Sequence, residues 1–128
     1  MEINTHAKID RELCGTPLEL KEGFARVELI PNVSMAADEQ GLVHGGFIFG
    51  LADYAAMLAV NEPNVVLAEA NVRFLKPVQI GDNLVAEAKL IHQEKNKAKV
   101  RTEVRKNGEL IFVGDFLCVI PRRHVLET

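Results

Sequence analysis

Gly46-Phe47-Ile48-Phe49-Gly50-Leu51-Ala52-Asp53-Tyr54-Ala55-Ala56-Met57-Leu58-Ala59-Val60-Asn61 is apolar on almost every side of the helix it predicts. A surface helix carries one apolar stripe, whereas a helix that is apolar all round belongs inside a protein. The stretch is about 16 residues long, too short to span a bilayer. Asn61 and Pro63 end it. Its one charge is Asp53. A carboxylate left unpaired in such surroundings costs several kcal/mol.

The flanks of this helix read as β-structure. Leu18 to Ile30 predicts a hairpin turning at Lys21-Glu22-Gly23, with Ala25, Val27 and Leu29 alternating with Arg26 and Glu28. Pro31 stops the second strand, and residues 31–43 form a loop. After the helix, strands are expected over Val65–Lys76, Asn83–Glu94, Ala98–Lys106 and Glu109–Ile120. Their turns fall at Gly81-Asp82, Lys95-Asn96-Lys97 and the hairpin dipeptide Asn107-Gly108. At the N-terminus, Ile3, Ala7, Ile9 and Leu13 suggest a short helix over residues 1–14, closed by Gly15. A hairpin, one buried helix and an antiparallel meander make an α+β architecture. The sheet covers one side of the helix, and a second subunit is expected to cover more.

At 128 residues the chain is expected to form one domain, residues 1–128. Its net charge of −3 offers no basic surface for a phosphate backbone, so no nucleic-acid partner is expected. Arg101, Arg105 and Lys106 read as a solvated face. Cys14 and Cys118 form no CxxC pair and suggest no metal site. With no secretory pattern at the N-terminus and no run long enough for a membrane, a reduced, cytoplasmic protein is expected.

Two segments carry a resemblance. Gly41-Leu42-Val43-His44-Gly45-Gly46-Phe47-Ile48-Phe49-Gly50-Leu51-Ala52-Asp53 resembles the His-Gly-Gly…Leu-Ala-Asp segment of the phenylacetic-acid-type thioesterases. Val72-Arg73-Phe74-Leu75-Lys76-Pro77-Val78-Gln79-Ile80-Gly81-Asp82 is similar to that family's Phe-Leu-(Arg/Lys)-Pro…Gly-Asp signature. The similarity covers roughly residues 15–120. It implies a hotdog fold, an antiparallel β-sheet wrapped around one long central helix. It also implies hydrolysis of acyl-CoA thioesters, with CoA entering only as part of the substrate and no separate cofactor or metal.

The resemblance places Asp53 at the catalytic carboxylate, as general base or nucleophile. The plainer alternative is a carboxylate on a wetter face or bonded to nearby backbone. Gly45 and Gly46 open the helix, where free N–H groups could hold a developing oxyanion, or the glycines could simply permit tight packing. His44 is a site residue by resemblance and a structural loop histidine otherwise. Two positions depart from the family pattern. Asp38 stands where an Asn is usual, and its alternative is a solvated loop residue. Leu67 stands where some relatives carry a hydroxyl, with Glu69 close by as a substitute or an exposed strand residue. Arg73, Lys76, Arg122 and Arg123 are open to CoA phosphates but read equally as solvated surface.

Gly46 and Asp53 are seven residues apart on nearly one face, about 10 Å along a helix. One carbonyl cannot reach both in the same chain. If both act, they come from different subunits, so a homodimer with two equivalent sites is expected, extended to a homotetramer. A non-catalytic acyl-CoA sensor is the alternative, since residues 70–89 also resemble the effector-binding domain of a fatty-acid-synthesis repressor. A hotdog dehydratase would use histidine patterns that are absent here.

Overall fold

The computed structural model describes residues 1–127. Six strands form one antiparallel sheet, β1 (Thr16–Lys21), β2 (Phe24–Leu29), β3 (Val66–Phe74), β4 (Leu84–Glu94), β5 (Lys97–Lys106) and β6 (Glu109–Val119). Their spatial order is β1-β2-β4-β5-β6-β3. One long helix, α2 (Gly45–Val60), links β2 near one edge to β3 at the other and lies across the concave face, chiefly on β2, β4 and β5. This is the hotdog arrangement. Among the described residues no helix is long and apolar enough to cross a membrane.

The alternation seen in the sequence sets the faces. Ala25, Val27 and Leu29 of β2 are buried, as are Leu84, Ala86 and Ala88 of β4 and Ala98, Val100, Thr102 and Val104 of β5. Successive strand residues point to opposite faces, so one face of each strand is committed to α2. Alanines under the helix let it approach closely. Phe112 and Phe116 of β6 fill the space where the sheet curls around it. On α2 itself Ile48, Leu51, Ala52 and Tyr54 to Ala59 are buried. Gly46, Phe49, Gly50 and Asp53 form the stripe that is less fully covered.

The turns follow from backbone chemistry. Asn107 and Gly108 both have positive φ (50° and 82°), the pairing that a two-residue hairpin with the sheet's twist requires. Asn61 ends α2 in the left-handed conformation, φ 55° and ψ 34°, a role Asn tolerates better than most side chains.

One expected element is corrected. The helix expected over residues 1–14 is confined to α1 (Arg11–Cys14). The Asp10 side chain accepts from the Glu12 N–H and starts the helix there. Residues before it are held differently. The Asn4 N–H donates to Asn61 Oδ1 (2.8 Å), and Asn61 Nδ2 donates to the Glu2 carbonyl (2.8 Å). Ile3 and Ile9 still pack on the core, as their apolar character suggested. The 31–43 loop also contains a 3-10 turn at Val33–Met35, with Met35 fully buried.

Gly114 of β6 shows how tightly β3 packs. A Cβ there would lie 2.7 Å from Val72 Cγ1 and 2.9 Å from Phe116 Cε1. Gly114→Ala is expected to lose about 1–3 kcal/mol through overpacking, read from the midpoint of urea unfolding.

Candidate functional site

The chain is pinned as it enters α2. The Val43 N–H donates to the Val78 carbonyl (2.8 Å) and the His44 N–H to the Met35 carbonyl (3.0 Å). His44 is the N-cap in extended conformation, and its side chain makes no capping bond. The Gly45 and Gly46 amides therefore precede the first intrahelical bond and have no side-chain cap. The Phe47 N–H is already bonded to the His44 carbonyl (3.1 Å). A Cβ on Gly46 would sit 3.1 Å from His44 Cδ2, and one on Gly45 would sit 3.2 Å from the Phe74 ring. A Cβ at either position would make its neighbour give by a few tenths of an ångström, and as glycines both leave their backbone open at the positive end of the helix dipole. A groove of about 310 Å³ borders this end, lined by Val43, Gly45, Ile48, Phe74 and Pro77 among others.

Asp53 lies two turns further along. Its side chain is half-buried, and its Oδ1 is sealed from solvent without any hydrogen-bond partner. Burial pushes this carboxyl from 3.8 up to about 6. No opposing charge offsets it, which is the signature of a base with raised proton affinity. The Cys118 thiol is pushed up to about 12 by burial, with the Asp53 charge adding to it. The Cys14 thiol is raised by burial, then by Asp53 and Asp10. Cys14 lies beside α2, its Sγ 3.9 Å from where a Gly50 Cβ would stand. The two cysteines, remote from each other in sequence, thus flank one carboxylate, and neither spacing nor motif signals it. The buried Thr102 hydroxyl donates a long bond (3.4 Å) to the Ala52 carbonyl next to Asp53.

The other expected site residues fall as follows. Asp38 is exposed, and its Oδ1 accepts from the Gln40 (3.0 Å) and Leu42 (3.2 Å) N–H groups. It organises its own loop turn, as short polar side chains do. Leu67 is half-buried and pairs across the ladder with Cys118, and the register shifts between Leu67 and Glu69. That bulge leaves Glu69 exposed on the sheet edge. The sequence-derived residues are therefore not gathered in one protomer: His44, Gly45 and Gly46 stand at the helix N-terminus, Asp53 toward its middle, Asp38 in its loop and Leu67 on β3 opposite Cys118. Because α2 is unbroken from Gly45 to Val60, about 10 Å of helix separates Gly46 from Asp53 within one protomer. Among the described residues no group of three His, Cys, Asp or Glu side chains is placed to hold a metal ion.

Residues 40–112 match the family model of the thioesterase superfamily, and the chain belongs to that superfamily. The acyl-coenzyme A thioesterase PaaI of Escherichia coli is 32% identical over 79% of this chain and 76% of its own length. A protein of Aquifex aeolicus described as methylthioribose-1-phosphate isomerase is 52% identical over 93% of this chain but only 26% of its own length. The transcription factor FapR of Caldanaerobacter subterraneus is 28% identical over 84% of this chain and 54% of its own. The chain thus spans between a quarter and about half of several curated relatives it matches. Among solved structures, an uncharacterized protein of Pyrococcus horikoshii superposes with a TM-score of 0.97 at 53% identity, covering 98% of this chain and 97% of that one.

The strained carboxyl has a thermodynamic signature. Below pH 3.8 Asp53 is protonated whether the chain is folded or not. Between 3.8 and about 6 the unfolded chain releases the proton while the fold retains it, so stability falls as pH rises through this window and levels off above it. The full loss is about 3 kcal/mol at 1.36 kcal/mol per pH unit. Asp53→Asn is therefore expected to match the wild type in stability near pH 4 and to exceed it by up to about 3 kcal/mol at pH 8. Urea unfolding at the two pH values measures this, and an equal effect at both would count against a buried ionising Asp53.

Proposed function

We propose that the protein hydrolyses acyl-CoA, or a closely related acyl thioester, to the free acid and the CoA thiol at two equivalent sites of a homodimer. The observation that carries this reading is the Asp53 oxygen, sealed from water and without a partner beside the least covered stripe of α2. Ionised, Asp53 takes a proton from water as the water oxygen attacks the thioester carbon. The carbonyl oxygen gains charge and is held by the bare Gly46 N–H of the other subunit. The C–S bond then breaks, and the thiolate recovers the proton from the Asp53 carboxyl. His44, stacked over Gly46, orients that end of the helix. The superfamily membership and the likeness to PaaI support the reaction class. Attack by Asp53 itself, through an anhydride, would use the same geometry.

The edge of the sheet supports the dimer. Among the described residues β3 pairs only with β6, and its other side is unpaired. Ala70 and Phe74, which share their face with buried Phe116 and Phe112 across the ladder, remain exposed, Phe74 by 53%. An open edge with apolar side chains invites a second chain. Two α2 helices running antiparallel would set Gly46 of each against Asp53 of the other. Free Cys14 and Cys118 fit a reducing, cytoplasmic setting.

Purified protein incubated with a panel of acyl-CoAs is expected to release thiol, with kcat/KM rising as pH passes about 6. Asp53→Asn is expected to lose at least about 100-fold. Gly46→Val and Asp53→Asn, each inactive alone, should recover about a quarter of wild-type activity when mixed and reassociated in equal amounts. Half of the dimers are then mixed, and each of these carries one intact site. No recovery from a mixture shown to exchange subunits would overturn the shared site.

The second reading is a non-catalytic acyl-CoA sensor, favoured by the likeness to FapR. Tight acyl-CoA binding with no thiol released by the wild type would select it.

A further inference from the structure

We infer that Glu69 and Arg73, on either side of Asn71, are positioning residues that set the register in which β3 pairs with β3 of a second copy of this chain. This rests on the shared-site reading above and adds to it the side chains that align the two subunits.

Glu69, Asn71 and Arg73 stand opposite Leu117, Asp115 and Val113 of β6. They share the outer face, because Ala70 and Phe74 stand opposite the buried Phe116 and Phe112. Residues 68–71 are all exposed, so neither face of this stretch is covered. A concavity of about 710 Å³ lies beside it, lined by Glu69, Ala70, Asn71 and Val72 among others. The other edge strand, β1, is guarded by Pro17, which has no N–H, and by a bulge between Pro17 and Glu19. Among the described residues neither Glu69 nor Arg73 enters an ion pair. Asp115, diagonal to Arg73, pairs with Arg101 (3.4 Å), and Glu103 pairs with Arg105 (3.0 Å). Lys99 is separated from Glu69 by the strand that carries Leu117.

Glu69-Ala70-Asn71-Val72-Arg73 is self-complementary in charge when read against its own reverse. In an antiparallel pair, facing residues share a face of the sheet, so a twofold axis passes through a residue. With the axis at Asn71, Glu69 of each copy faces Arg73 of the other. Asn71 then faces itself, and an amide carries both a donor and an acceptor. With the axis at Glu69 or Arg73, like charges face each other, which is unfavourable. With the axis at Ala70 or Val72, both charges face neutral side chains. Charges on an edge usually repel other strands, but their order here admits one register. That register matters to the site. Moving the axis by one residue slides the partner by two, about 6.6 Å. Such a slip is larger than the reach of a hydrogen bond, so Gly46 of one copy and Asp53 of the other would no longer meet one carbonyl.

Charge reversal and cross-linking test the register. Glu69→Arg alone and Arg73→Glu alone each set like charges across the axis. Each is expected to raise the dimer Kd at least about tenfold in sedimentation. The double variant Glu69→Arg/Arg73→Glu, and an equal mixture of the two single variants, restore opposite charges and should associate as the wild type does. Both positions are exposed, so the variants are expected to fold, and circular dichroism checks this. Asn71→Cys is expected to form a disulfide across the axis on mild oxidation, since facing residues have Cα atoms about 4.5–5.5 Å apart. Glu69→Cys, whose two copies would stand roughly 13 Å apart, should stay at the wild-type background. A dimer that is indifferent to charge reversal and does not cross-link through position 71 overturns the inference. Thiol release from acyl-CoA is read on the same proteins. An active dimer without these responses removes the register and leaves the shared site standing. A charge-dependent, cross-linked dimer that releases no thiol does the reverse. A wild type that sediments only as a monomer overturns both. If both hold, each single reversal loses activity below its Kd, and mixing the two restores it.

Discussion

A helix without a polar face has to be covered on every side, and that demand governs this molecule. The sheet, with its alanine-lined floor beneath α2, satisfies it for most of the circumference. Burying each large apolar side chain stabilises the fold by roughly 1.5–3 kcal/mol. The stripe of Gly46, Phe49, Gly50 and Asp53 is what one curled sheet leaves less fully covered. Because β3 is an edge strand, the same side of the molecule also has unpaired backbone and exposed Phe74. Packing need and chemical opportunity therefore coincide on one flank.

Against that apolar background Asp53 is a deliberate expense. Its sealed oxygen destabilises the fold whenever it ionises, and only desolvation is responsible. Nothing in the architecture requires a carboxylate there, since an Asn or a small apolar residue would fit the helix with less cost. A carboxyl perturbed by burial alone marks a candidate for a reactive role. The glycines differ in character. Phe74 leaves little room for a side chain at Gly45 and His44 little at Gly46, and no side chain caps the amides there.

Much of this was legible in the residues. The period-2 alternation in β2, β4 and β5 and the Asn107-Gly108 turn announced the sheet, and the continuous apolar run announced its helix. Asp53 stood out as a charge in the wrong place. What stayed hidden depended on distance in the chain. The pairing of β3 with β6 brings Cys118 beside the site, and α1 brings Cys14, through contacts that no local pattern encodes. The N-terminal segment was misread because apolar spacing suggested a helix, while tertiary bonds to Asn61 hold those residues in another form. Asp38 likewise serves two backbone amides of its own loop, a use that a motif position cannot reveal.

Asn61 has a wider reach than a helix terminator. Its backbone closes the last turn of α2, and its side chain ties down residues 2 and 4, more than fifty residues earlier in the chain. Fraying of the leader and unwinding of the final turn are thereby one cooperative event rather than two. The chain's earliest residues become a fastener for its central rod, and proteolysis or a bulky fusion there would be felt deep inside the barrel-like wrap.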